Sequence, residues 1–521
     1  MPIALKELLV VLGLGVPLFA FAKPAALLFT AEGDFRLRRT IWLTLTIVAF
    51  LSPNFWLFAA IAAPVMYWGG RKDTNPVAFF LLLMNVIPPI SVPIPPILIN
   101  DLFSLDIFRL LSFCVLIPVA LRIRKSKASE QIKGLKVMDL ALLGFGAIYV
   151  LLYVPPDLPN HVITQNSLTN DIRSACLYLV DIYTLYYVAS RTCIDRKKLL
   201  DALAAFCLSC CLMALTAVFE SAKHWLLYTG INIRWGGNSV LDEYYMRDNL
   251  LRAQGPTGEP LSLAFLLVIG FGFWLYLQSH VKSTRTKVAV MALLCAGLLV
   301  TFSRGPWLAA LVIYLAYAAF DPRGLSRVFK ATAIVLLLAT ALLASPLGTK
   351  ISGMIPFMGG TVDKDTLTYR EQLLDRSWEL IKARPLLGDQ LALSKMQDLR
   401  QGQGIIDVVN AYVGVTLFYG FTGLAVFLTF VLSALAKAYA KSRRVRKTDP
   451  DSALLGANLA AAIVANLLLL ADGSLGTGPK QVFYILMGLA GAYAAVSSAR
   501  TAVTAGQRAV GHDVTIDASP G

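Results

Sequence analysis

Three arginines in this chain are held in place by their neighbours. Arg252 lies in LRAQGPTGEP, Arg304 in TFSRGPW and Arg370 in TYREQLLDRSWELIKARPLLG. A guanidinium is a planar fork of N–H donors that suits phosphate oxygens two at a time. Three of them where basic residues are otherwise scarce call for an anionic, phosphate-bearing lipid ligand. Gly255, Pro256, Gly258 and Pro260 forbid regular helix before Leu261, so Arg252 and the amides of its turn are expected at a helix N-terminus, where an anion is favoured. Pro306 suits the first turn of a helix, which makes Ser303–Pro306 a tight connection and Arg304 an ionisable group fixed at a membrane boundary. Thr368–Arg384 is predicted to be an amphipathic helix ended by Pro385 and Gly388. In it Arg370, Leu374, Trp378 and Ile381 recur on one face, aiming Arg370 at the protein, and Glu371, Asp375, Glu379 and Lys382 fall opposite.

The elements that position these residues follow from composition. The chain has 521 residues, 57% hydrophobic and 15% charged, against about 45–50% apolar in soluble domains. It reads as an all-α, polytopic integral membrane protein, because backbone groups in lipid must be satisfied within helices. Apolar runs such as Met138–Val154, Leu199–Glu220, Leu261–Leu277, Val288–Phe302, Ala331–Ala344, Val408–Leu435 and Leu454–Leu470 approach or reach the length of a span.

The net charge of +15 is concentrated in short loops: Arg71/Lys72, Arg122 to Lys136, Arg191 to Lys198, Lys282 to Lys287, Arg323 to Lys330 and Lys437 to Lys447. That pattern assigns those loops to the cytoplasm and argues against nucleic acid as a partner. Counting alternately gives twelve crossings from Arg71 onward. The first 70 residues hold two helices, or three if the second breaks at Ser52-Pro53-Asn54, so about 12–15 spans are expected.

The expected organisation is N-terminal membrane helices (1–70), further membrane helices (71–219), an outward segment (220–259), membrane helices (260–346), a large outward loop with the amphipathic helix (347–405), C-terminal membrane helices (406–499) and a disordered cytoplasmic tail (500–521). The seven cysteines and four histidines show no metal-ligand spacing, and Cys207–Cys210 reads as helix packing rather than a redox motif. No P-loop, HExxH or GxGxxG is present, which removes ATPases, zinc proteases and Rossmann enzymes.

LRAQGPTGEPLSLA, TFSRGPWLA, YREQLLDRSWELIKARPLLG and GIIDVVNAYVGVTLFYGFTGL, in that order, resemble the bacterial O-antigen ligase and O-antigen polymerase superfamily over roughly residues 40–495. The resemblance implies a C-type glycosyltransferase fold with a large periplasmic loop, set in the inner membrane and active at its periplasmic face. It implies a glycan donor on undecaprenyl pyrophosphate and an acceptor glycan, with no cofactor and no metal. Polysaccharide export or assembly proteins are candidate neighbours. Arg252 and Arg304 match arginines that engage the pyrophosphate, with Arg370 as a third.

Ligases carry a His-Asn pair, nine residues and then GxxG. Here Asn410 and Gly420-Phe421-Thr422-Gly423 keep that spacing, but Val409 holds the His position. Valine cannot accept a proton, so the polymerase side of the superfamily is favoured. Asp407, three residues before Asn410 and on the same helical face, is the nearest carboxylate that could serve as general base; it is equally suited to capping the helix. A lipid-linked sugar flippase or transporter with a basic vestibule is the alternative reading.

Overall fold

A computed structural model describes residues 3–94, 104–125, 135–152, 168–237, 243–247, 250–320, 364–400, 406, 408–474, 476 and 478–510. The expected span at Ala331–Ala344, the candidate base Asp407 and the tail beyond Val510 lie outside these residues.

The N-terminal third opens with α1 (Ile3–Ala26), α2 (Glu32–Leu51), α3 (Phe55–Lys72) and α4 (Pro76–Leu83). Pro53 cannot continue a helix, and Asn54 caps the next one by accepting from the Leu57 amide at 2.9 Å. The break at residues 52–54 therefore makes three helices up to Lys72, the second of the two arrangements expected. A short antiparallel pair, β1 (Val92–Pro93) with β2 (Ser104–Leu105), precedes α5 (Ile107–Leu111). A π-helical turn at Ser112–Leu116 joins α5 to α6 (Ile117–Lys125). Next come α7 (Lys136–Leu151) and α8 (Leu168–Tyr178), whose second π-helical turn at Leu179–Tyr183 leads into α9 (Thr184–Thr192).

Then follow α10 (Arg196–Lys223), α11 (Thr229–Trp235), the hairpin β3 (Met246–Arg247) and β4 (Leu250–Leu251), α12 (Pro260–Leu277), α13 (Thr284–Leu299), α14 (Arg304–Phe320), α15 (Lys364–Ala383), α16 (Ala411–Val445), α17 (Pro450–Asp472) and α18 (Pro479–Val510). Among the described residues five helices are by themselves long and apolar enough to cross a membrane: α1, α10, α12 with its C-terminal extension to His280, α16 and α17. Two of the expected outward loops thus hold small elements: α11 and the hairpin in 220–259, α15 in 347–405. The last helix continues to Val510 through alanine-rich sequence that favours helix, so residues 500–510 are not the disordered tail expected.

Hydrophobic force between helices is weak in lipid, and close packing of small residues takes its place. The interior is built on α10, α12 and α17, the most enclosed of the candidate spans. Gly270 of α12 lies so close to α10 that a Cβ would stand 2.4 Å from Cys210 Sγ. Cys207 and Cys210 donate to the Gly270 and Leu266 carbonyls at 3.3 and 3.4 Å. The CxxC spacing is therefore helix packing, as the sequence suggested.

Contacts sort the helix ends. At one end Arg38 of α2 forks onto Asp73 after α3 (2.6 and 2.8 Å) and Asp201 of α10 (2.7 and 2.9 Å). Asp451 of α17 meets His280 beyond α12 at that end as well. At the other end Glu7 of α1 accepts from the Gly230 amide, and Arg234 donates to the Phe50 carbonyl at the close of α2.

Candidate functional site

The arginine motifs all lie at the second end. β3 and β4 pair antiparallel with Arg247 opposite Leu250, and the ladder is extended by the Arg252 amide donating to the Tyr245 carbonyl at 2.9 Å. The hairpin rests on the turn between α13 and α14. Ala253 donates its amide to the Val300 carbonyl at 3.0 Å. Arg252 donates Nε to the Thr301 carbonyl and Nη2 to Ser303 Oγ, both at 3.0 Å, while Arg247 donates Nη1 to the Phe302 carbonyl at 2.6 Å. Phe302 has φ +49°, a left-handed conformation that costs a bulky residue energy and persists where its surroundings enforce it.

The product of this bracing is Arg304. It is the first residue of α14, half-buried, and makes no hydrogen bond or ion pair among the described residues. Burial first, and the neighbouring Arg247 charge second, pull Arg252 down to about 10, with Glu259 and Tyr245 acting the other way. Burial thus disfavours the charged form of Arg252, a condition an anionic ligand relieves.

One sequence expectation is corrected. The amides before α12 do not wait for an external anion, because Glu220, a buried residue at the end of α10, fills that place. Its Oε2 accepts from the Gln254 and Gly255 amides at 3.1 and 2.7 Å, and its Oε1 from the Leu227 amide at 3.0 Å. Glu220 fastens the Arg252 segment to α10, and the ligand-facing charge falls to the arginine side chains.

Arg370 reaches the same turn from α15. Its Nη1 lies 3.3 Å from Oδ1 of Asp472, the last residue of α17, and a Cβ at Gly305 would stand only 1.7 Å from Oδ2 of that carboxylate. Asp472 therefore sits against the α13–α14 turn and links Arg370 to it. The face of α15 differs from the one expected: Leu373, Ser377 and Ile381 are buried, whereas Leu374 and Trp378 are 52% and 48% exposed beside the exposed Arg370. Of the expected face only Ile381 is buried, packed with Leu417 of α16, Ala392 and Met396.

The segment after α15 docks into a kink in α16. Gly420 has φ +66° and ψ −174°, and around it Phe421 and Thr422 donate to the Pro385 and Leu386 carbonyls while Asp389 donates to Leu417. RPLLG and the glycines of GFTG are thus two halves of one joint. Asn410 caps α16, accepting from the Tyr412 and Val413 amides at 2.9 and 3.2 Å. Tyr412 Oη donates to the Leu467 carbonyl of α17 at 2.7 Å, five residues or about 7.5 Å along the helix from Asp472.

The structure therefore joins Arg252, Arg304 and Arg370 through one turn, and sets Asn410 on the helix packed beside it. Sequence reasoning gave Arg247 no place in the site; the -DN- pair after it, a turn signal between short apolar runs, was its trace. Asp472 left no comparable trace. A third group, Arg109, Asp181 and Lys480, was also missed: Asp181, in the second π-helical turn, lies 2.8 Å from Arg109 and 3.5 Å from Lys480.

Comparison with known families falls on this end of the molecule. Residues 289–428 match the O-antigen ligase family. The matched stretch, about a quarter of the chain, runs from within α13 into α16. It takes in Arg304, Arg370, Asn410 and the Gly420 joint of the O-antigen ligase match, while Arg247, Arg252 and Asp472 lie outside it. The comparison with curated proteins gives no match.

Proposed function

We propose that this protein transfers a glycan from an undecaprenyl-pyrophosphate-linked donor to an acceptor sugar, as a polymerase or ligase of O-antigen or exopolysaccharide synthesis. The observation that carries the reading is Arg304: a cation without a partner among the described residues, on a strained turn braced by Arg247 and Arg252, inside the stretch that matches the O-antigen ligases. As the bond from sugar to phosphate breaks, negative charge grows on the leaving lipid pyrophosphate. Fixed guanidinium groups stabilise that charge without reorganising, which lowers the barrier.

Arg252 contributes by holding the turn and Arg370 by approaching from α15. Asn410 caps the helix beside the site, and Asp407 is the base expected from the sequence. Val409 in the ligase His position favours polymerisation over attachment to a lipid core. The basic loops among the described residues (Arg71/Lys72, Arg191 to Lys198, Lys282 to Lys287 and Lys437 to Lys447), at the opposite end of the helices, support a site facing the periplasm from the inner membrane.

The test is the lipid-linked species that accumulates when the protein is removed. Single repeat units, linked to lipid and displayed on the periplasmic side, are the expected result. Units retained on the cytoplasmic side would instead mark a flippase and end this reading.

A further inference from the structure

We infer that Asp472 is the carboxylate that takes the proton from the acceptor hydroxyl, and that Arg370 covers it until the donor binds. The inference rests on the proposed glycan transfer and goes beyond it by assigning the base. Val409 cannot fill that role, and Asn410, whose side-chain oxygen already accepts from two backbone amides, is occupied as a cap.

Of two carboxylates near the arginine turn, Glu220 is enclosed and saturated by three amides, and Glu259 accepts from Ser262 Oγ at 2.6 Å; Glu243, at the start of the hairpin, is hydrogen-bonded to Tyr245. Asp472 differs from these. Its side chain is 32% exposed, it lies against Gly305 next to Arg304, and its ion-pair partner among the described residues is the 45%-exposed Arg370 at 3.3 Å. An exposed pair at that distance is weak, whereas a guanidinium on phosphate oxygens makes charge-assisted, often bidentate bonds.

A pyrophosphate delivered to Arg304 therefore competes for Arg370 on favourable terms. When Arg370 moves to the phosphate, Asp472 is left uncovered beside the reacting carbon. The acceptor oxygen then forms its bond to the anomeric carbon as the bond from that carbon to phosphate oxygen breaks, with the electron pair leaving on the lipid pyrophosphate. The hydroxyl proton passes to Asp472 and afterwards to water. The exchange orders the reaction, because the base becomes available only after the donor is seated.

The experiment uses the full-length protein in lipid nanodiscs with lipid-pyrophosphate-linked glycan extracted from cells that lack it, and measures donor binding and transfer separately. Asp472→Asn is expected to lose about 10²–10⁴-fold in transfer rate while binding donor at least as tightly, since Arg370 has been released. Gly305→Ala, which puts a methyl group where the carboxylate lies but keeps the charge, is expected to show the same split and serves if Asp472→Asn does not fold. Arg370→Ala should lose donor affinity first. Transfer by Asp472→Asn within tenfold of the parent, or a parallel fall in binding and transfer, overturns the assignment. So does a loss of transfer confined to Asp407→Asn in parallel assays. If the parent itself transfers nothing from this donor, the proposed function has failed rather than the assignment of its base.

Discussion

At the scale of the residue, Arg304 is singled out by what surrounds it rather than by its charge. Two other arginines spend their donors on the carbonyls and hydroxyl of its turn, so the backbone that carries its guanidinium is held in place. Arg304→Ala is expected to cost about 10²–10³-fold in transfer, the usual loss for one donor to a developing oxyanion. Arg304→Lys should recover little, since a point charge lacks the planar fork. Arg247→Ala tests the bracing: it should lower transfer less than Arg304→Ala while also lowering the melting temperature, because the Phe302 carbonyl loses its donor. Measured side by side on one donor preparation, equal losses for Arg247→Ala and Arg304→Ala without any thermal effect would place both on the ligand and remove the bracing role. Arg304 was legible in the sequence because Gly305 and Pro306, its constraints, are adjacent. Arg247 was not, because its acceptor lies 55 residues away in a turn that only the fold brings under the hairpin.

At the scale of the element, the joint between α15 and α16 carries the positioning of Arg370. A Cβ at Gly420 would meet the Leu386 carbonyl oxygen at 2.1 Å, and the backbone there is in a region that only glycine occupies comfortably. Gly420→Ala should therefore destabilise by at least about 1–3 kcal/mol and weaken donor affinity, as α15 loses its anchor. A melting curve and a donor-binding assay check it; unchanged affinity in a destabilised protein would detach Arg370 from the ligand. The presence and the C-terminal limit of α15 were readable from its amphipathic period and from Pro385 and Gly388, whereas its start at Lys364 lies four residues before the expected Thr368. Its rotation was not, because Leu373 and Leu374 are equivalent apolar residues in the local sequence and only tertiary packing buries the first and exposes the second. The two π-helical turns, which set Arg109 against Asp181, were hidden for the same reason: one extra residue in a helical turn leaves no mark in an apolar run.

At the scale of the whole molecule, the alternation of apolar runs and basic loops was enough to anticipate a polytopic bundle, and Pro53 with Asn54 was enough to locate the uncertain break. The pairing of ends needed the structure. The Arg38, Asp73 and Asp201 triad ties α2, α3 and α10 together at the end of the basic loops, with Arg38 and Asp73 at 2% and 0% side-chain exposure. Removing the central cation by Arg38→Ala would leave two buried carboxylates uncompensated, a change that costs about 3–5 kcal/mol, and loss of the folded protein from membranes is the expected readout. The arginine site lies at the opposite end, so sidedness can be tested with two exposed positions. Glu371 on α15 stands with the arginines, and Lys447 lies in the turn between α16 and α17 with the basic loops. If the positive loops are cytoplasmic, Glu371→Cys in a cysteine-free background should react with a membrane-impermeant thiol reagent in intact inner-membrane vesicles of right-side-out orientation. Lys447→Cys should react only after the membrane is opened. The reverse pattern would turn the whole bundle over and put the arginine turn on the cytoplasmic side, where a periplasmic transfer could not occur; labelling of both positions before opening would mean that the two ends are not separated by a bilayer at all.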